Sequence, residues 1–214
     1  MASPALPTSV PPYLTAYADA AAAVTDAVAG IPDALWSAPG LGEWDVRALV
    51  GHTSRAMITV LTYLDRPAAA EDVTSPEGYY ALLPSMTGEG VDQGAVAERG
   101  RAAGRALGDD PAPAFADLAE QAVRRLAEVG PDLLIETIAG GIRVDSYVPT
   151  RTVELVVHGL DIAAATGVEV TFSRNTLADA AAVAARTGVA LGHGPAVLAA
   201  LTGRAALPAG FSVV

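Results

Sequence analysis

Three side chains in this sequence could do chemistry together if the fold brings them together: His52, Glu154 and His158. Glu154 and His158 lie four residues apart in the segment Arg151-Thr-Val-Glu-Leu-Val-Val-His-Gly-Leu-Asp161. On an α-helix such positions stand one above the other, so a carboxylate and an imidazole point the same way. That is half of a metal site. With His52 on a second helical segment facing them, the three become a 2-His-1-carboxylate set, which suits an open zinc centre and equally a non-haem iron(II) centre. His193 reads instead as a loop residue, because Gly192 and Gly194 on either side of it indicate a turn.

At about 100° per residue, Arg151, Glu154, His158 and Asp161 fall within a stripe about 80° wide. Leu155, Val156, Val157, Leu160 and Ile162 occupy the other sides. A helix that is apolar around most of its circumference is buried, so its polar stripe faces an internal cavity and its charges need partners. Two readings stay open. Arg151 and Glu154 could form an i,i+3 ion pair with His158 a bystander. Alternatively, Glu154 and His158 could ligate a metal, with Asp161 one turn on accepting the second N–H of the imidazole. His52 has Ala48, Leu49 and Ala56 as near neighbours on its helix. The small residues leave room beside the ring, which is either a cavity ligand or a histidine satisfied by a backbone carbonyl.

Composition narrows the chemistry. The chain has 214 residues, 51% of them hydrophobic, enough for one globular domain with a sizeable core and an appendage. A net charge of −11 argues against nucleic acid and anionic membrane surfaces as partners, since phosphate binding needs a basic face. No apolar run reaches membrane-spanning length, and the start Met-Ala-Ser-Pro-Ala-Leu-Pro lacks a basic and hydrophobic leader, so a soluble cytoplasmic protein is expected. There is no cysteine, which excludes disulfides, cysteine-ligated zinc, iron–sulfur clusters and a cysteine nucleophile. All 13 basic residues are arginine, so neither a Schiff-base lysine nor a P-loop is available. The preference for Ala, Arg and Gly over Lys and Asn resembles a high-GC actinobacterial coding bias.

The elements that must position these residues can be read from periodicity. Leu14, Tyr17, Ala21, Val24 and Val28 predict an amphipathic helix over 13–29, between Pro11-Pro12 and Gly30. Asp45 is the expected N-cap of a second helix reaching Leu64 and carrying His52. Residues 66–94 are rich in Pro, Gly and acidic residues and are expected to be a long loop, with a short helical turn near Tyr79-Tyr80. A helical region over 93–129 is broken at Gly108–Pro113. The runs Leu133–Ile138 and Ile142–Val148 flank Ala139-Gly140-Gly141 and predict a small hairpin. A helix from Arg151 to Gly167 then carries Glu154 and His158, and two shorter helices are expected near 174–187 and 195–203.

Two of these segments together resemble a known family. The stretch Trp36-Ser-Ala-Pro-Gly-Leu-Gly-Glu-Trp-Asp-Val-Arg-Ala-Leu-Val-Gly-His52 resembles the start of the second helix in mycothiol-dependent maleylpyruvate isomerase-like proteins, a branch of the DinB/YfiT superfamily. The stretch from Arg151 to Asp161 resembles the same family's Arg-x-x-Glu-x-x-x-His-x-x-Asp signature, and the likeness covers about residues 10–168. It implies a mainly α fold: a DinB-like four-helix bundle over 1–168 with a small β-hairpin, followed by a short C-terminal helical extension over 169–214. It also implies that His52, Glu154 and His158 bind a divalent metal, usually zinc, leaving open positions at which an external thiol such as mycothiol can be ionised. Asp161 would then lie behind the ligands, and Arg55, Arg143 and Arg151 are chemically reasonable anion contacts.

The full isomerase carries a second, sterol-carrier-like domain, whereas about 46 residues follow Val168 here. The leading expectation is therefore a zinc-dependent S-transferase or cis–trans isomerase using mycothiol on a small-molecule electrophile or an unsaturated keto acid. A non-enzymatic metal-containing binding module and a non-haem iron(II) enzyme are the alternatives.

Overall fold

The computed structural model describes residues 10–86 and 93–213. Four long helices form the bundle: α1 (Pro12–Ala29), α2 (Val46–Leu64), α5 (Pro111–Ala127) and α6 (Val144–Thr166). Helix α1 packs on α5 and α6, and α2 packs on the same two. Helix α4 (Gln93–Ala106) lies along α2, while α3 (Pro76–Met86) and α7 (Arg174–Ala190) lie on α6, and α8 (Gly194–Leu201) follows on α7. A two-stranded antiparallel hairpin, β1 (Leu134–Thr137) and β2 (Gly140–Arg143), pairs Ile135 with Ile142. The chain is thus mainly helical, a DinB-like bundle with a small hairpin and further C-terminal helices. Among the described residues no helix is long and apolar enough to cross a membrane.

The apolar faces read from periodicity meet at the centre. Tyr17, Val24, Leu49, Met57, Phe115, Leu126, Tyr147, Leu155 and Ile162 are fully buried there, each large aliphatic or aromatic side chain contributing about 1.5–3 kcal/mol. The expected punctuation is present. Pro12 opens α1, and Asp45 Oδ1 caps α2 by accepting the Ala48 N–H at 2.8 Å. Gly167 closes α6 in the left-handed conformation at φ 74°, which glycine adopts without a Cβ clash.

Two elements differ from expectation. The segment 66–94 is not one long loop: Pro76–Met86 is an eleven-residue helix, and residues 87–92 lie outside the described residues. Gly78 and Pro84 make its local propensity poor, but Tyr79 and Tyr80 are buried and the helix packs against α6 and α7. Tertiary burial has overridden local preference. Residues before it also brace the hairpin, where Asp72 Oδ2 accepts the Gly141 N–H at 2.8 Å.

Helix α6 begins at Val144, seven residues before the expected Arg151, which shortens the second strand to Gly140–Arg143. The N–H groups of Val144 and Asp145 donate to the carbonyls of Leu133 and Pro131, so the first turn is satisfied from the hairpin side. Pro149 has no N–H for the carbonyl four residues back, a loss of about 3 kcal/mol in a helix interior. Burial of Val144, Tyr147 and Val148 in the turn before Pro149 offsets it.

Candidate metal centre

Helix α2 carries His52, and α6 carries Glu154 and His158 on its facing side; one nitrogen or oxygen of each lies within 4.8 Å of the others. His158 Nε2 is 3.4 Å from Glu154 Oε2, and its Nδ1 is 3.0 Å from Asp161 Oδ2. The His52 and His158 rings meet edge to face, with centroids 4.8 Å apart and planes at 89°. Among the described residues His52 Nδ1 is buried without a hydrogen-bond partner, the kind of orphan that calls for an explanation such as an ion.

Tyr80 and Arg151, behind the cluster, have defined contacts. The Tyr80 hydroxyl, from α3, lies 2.9 Å from Glu154 Oε1 and 2.8 Å from the Thr150 carbonyl. The Arg151 guanidinium stands over the rings of Tyr79 at 5.6 Å and Tyr147 at 5.2 Å, its Nε–H donates to Thr150 Oγ1, and a terminal nitrogen is 4.0 Å from Glu154 Oε1. Arg151 is therefore buried among rings with Glu154 as an ion-pair partner. His158 is no bystander to that pair, since it contacts Glu154 from the other side. Arg143 is taken up at the surface by Glu71 and Asp132. Arg55 stays on the His52 face of α2, one turn on, where its charge acts on His52. His193 ends as the residue before α8, edge to face with Phe211, and takes no part in the cluster.

Burial and charge set the protonation states. Burial raises the Glu154 carboxyl, but His158, Arg151 and Tyr80 outweigh it and hold the group down at about 2. Burial also opposes charge on His158, yet Asp161 and Glu154 push it up to about 9. Burial, then the charge of His158, press His52 down to about 4. Near neutral pH the cluster holds one carboxylate, one imidazolium and one neutral imidazole. Two imidazole nitrogens and one carboxylate oxygen within 4.8 Å of one another form a donor set whose chemistry suits a divalent cation.

The motif before α2 acquires a role at every position. Asp45 caps the helix, Val46 is fully buried, and Arg47 donates to the Gly104 and Gly108 carbonyls at the end of α4. Trp44 lies on His52 with ring centroids 4.4 Å apart. Trp44 and Tyr80 were not among the residues expected at the site. Trp44 stands in the quoted motif, so a signal was present, whereas Tyr80 fell in the segment read as a loop.

A family model described as the mycothiol maleylpyruvate isomerase N-terminal domain matches residues 17–163. The chain belongs to this family. The matched span contains His52, Glu154, His158 and Asp161, so the family's bundle and the clustered residues coincide in one part of the chain. Comparison with curated proteins and with solved structures finds no match.

Proposed function

We propose that this protein is a divalent-metal enzyme, with zinc as the metal, that uses a low-molecular-weight thiol such as mycothiol either to transfer sulfur to a small electrophile or to isomerise a maleylpyruvate-type keto acid. The observation that carries this reading is the approach of His52, Glu154 and His158 to within 4.8 Å of one another, in a member of the mycothiol maleylpyruvate isomerase family.

The chain's own residues have separable tasks. Asp161 accepts from His158 Nδ1, which turns Nε2 toward Glu154 and the centre. Tyr80 and Arg151 keep Glu154 ionised although it is buried. A bound zinc ion would favour the ionised form of a thiol at an open position. The nucleophile comes from outside, because the chain contains neither cysteine nor lysine. In transfer, the thiolate sulfur bonds to the electrophilic carbon and the leaving group departs, or a proton completes the addition. In isomerisation, the sulfur adds to the activated double bond, the resulting single bond rotates, and elimination returns the thiol with the trans product.

The test is metal analysis of protein purified without added metal, followed by turnover of a cis-enedioic keto acid and of a general electrophile with and without mycothiol. The expected result is stoichiometric zinc, lost in His52→Ala and His158→Ala, and turnover that requires the thiol. Iron in place of zinc, with oxygen-dependent turnover, selects the non-haem alternative offered by the same donor set. Metal without turnover of either substrate selects a binding module, and equal turnover without thiol overturns the mechanism.

A further inference from the structure

The two histidines of the cluster are held differently. His158 has the partner usual for a metal-bound imidazole, a carboxylate on its other ring nitrogen, at 3.0 Å from Asp161. His52 has none among the described residues, and its Nδ1 is buried without a hydrogen bond. Rotation about the outer torsion of a histidine is soft, so a ring with no hydrogen bond to fix it needs something else to hold its plane.

The indole of Trp44 meets that need. The Trp44 and His52 rings lie 4.4 Å apart between centroids with their planes tilted by 30°. On the other side, His52 meets the edge of His158. The indole is itself fixed from three directions. Its Nε1–H donates to the Ala97 carbonyl of α4 at 3.0 Å. A Cβ at Gly100 would sit 2.8 Å from the indole Cε2 and Nε1, so the ring lies directly on the α4 backbone where that glycine leaves space. Its backbone is tied into the turn before α2, with its N–H donating to Leu41 and its carbonyl accepting from Gly40.

We propose that Trp44 is the positioning residue of His52: its indole, pinned to α4, is the platform that holds the imidazole plane toward Glu154 and His158, in the role that a hydrogen-bonded carboxylate plays for His158. The inference rests on the metal reading above. It also gives α4 a function, since this helix sets the plane of one ligand through Trp44.

The test measures chelator-buffered zinc affinity, and the visible spectrum of the cobalt(II)-loaded protein, for wild type, Trp44→Phe, Trp44→Leu and Gly100→Ala. Trp44→Phe keeps a ring face and should bind zinc within about threefold of wild type. Trp44→Leu fills the space without a stacking face and should bind about tenfold more weakly, the value of one aromatic stack, with an altered cobalt spectrum. Gly100→Ala leaves Trp44 in place but pushes the indole from behind, and should weaken binding and alter the cobalt spectrum in the same sense. Because Gly100→Ala acts from α4, it keeps the inference testable if Trp44→Leu fails to fold. Zinc affinity and cobalt spectra unchanged in both Trp44→Leu and Gly100→Ala overturn this inference alone. A wild type that binds neither metal overturns the metal reading and this inference with it.

Discussion

His158 is the one member of the cluster whose protonation must change for a cation to enter. Glu154, held at about 2, and His52, at about 4, are already free of protons near neutrality, while His158, pushed up to about 9, carries one. Binding should therefore release about one proton per zinc ion between pH 7 and 8, read by calorimetry in buffers of different ionisation enthalpy. The same shift works in the opposite direction on the metal-free fold. A raised histidine contributes stability that is complete below its unfolded value of 6.5 and is lost as pH rises through about 9. Metal-free stability should thus fall across that interval while zinc affinity rises. Asp161→Asn separates the two contributions of the carboxylate. Above about pH 9, where His158 is neutral in either protein, replacing the orienting carboxylate by a neutral amide should cost about 10–100-fold in affinity. At pH 7 the deficit should be smaller, because without Asp161 the imidazole also gives up its proton more easily. An equal affinity at high pH would show that Asp161 only braces the helix.

At the scale of elements, α2 and α4 touch backbone to backbone. A Cβ at Gly51 would come 2.1 Å from the Gly104 nitrogen, and one at Gly104 would come 2.6 Å from the Arg47 carbonyl. Gly51→Ala should therefore destabilise the fold by about 1–3 kcal/mol in urea denaturation, in spite of the better helix propensity of alanine, because neither backbone can yield as a flexible side chain would. A variant as stable as wild type would mean that the helices separate freely. Such contacts also show what periodicity does and does not reveal. The ends of α1 and α2 were legible because Pro12, Asp45 and Gly30 act locally. Helix α3 was legible only as a short turn near Tyr79-Tyr80, since its full eleven residues become helical once α6 and α7 cover those rings. The start of α6 was hidden by Pro149 and by the β-like run Val144–Val148, whose first N–H groups find carbonyls across the hairpin. Within the site, the i,i+4 spacing of Glu154 and His158 and the facing His52 were readable. Of the partners that tune them, Tyr79 and Tyr80 come from contacts distant in sequence, whereas Trp44 and Tyr147 lie near His52 and Arg151 in the chain and needed the fold to show which faces meet.

Over the whole molecule the open question of architecture is whether residues 169–214 act as a unit of their own. We propose that they fold as part of the bundle, because α7 packs on α1, α3 and α6. Its N-terminus is moored to α1, where Asp19 Oδ2 accepts the Thr176 hydroxyl at 2.6 Å and the Ser173 N–H at 3.1 Å. Arg186 reaches Glu77 on α3 at 3.4 Å, and Phe172 lies where a Cβ on Gly159 of α6 would meet it at 2.8 Å. The Thr176 hydrogen bond holds Asp19 below the usual carboxylate range. The mooring is therefore present above the unfolded carboxyl value of about 3.9 and is lost as pH falls through the lower folded value. Asp19→Ala removes it at neutral pH. It should cost about 1 kcal/mol, lowering Tm by about 2–4 °C for a chain of this size. Scanning calorimetry should show one transition in wild type and variant alike, with the whole transition displaced. Two transitions, of which only the smaller responds to Asp19→Ala, would make the extension an independent domain and confine the mooring to its edge. As pH falls through that lowered folded value, the two proteins should converge in Tm, since protonation then removes from wild type what the substitution removes at neutrality.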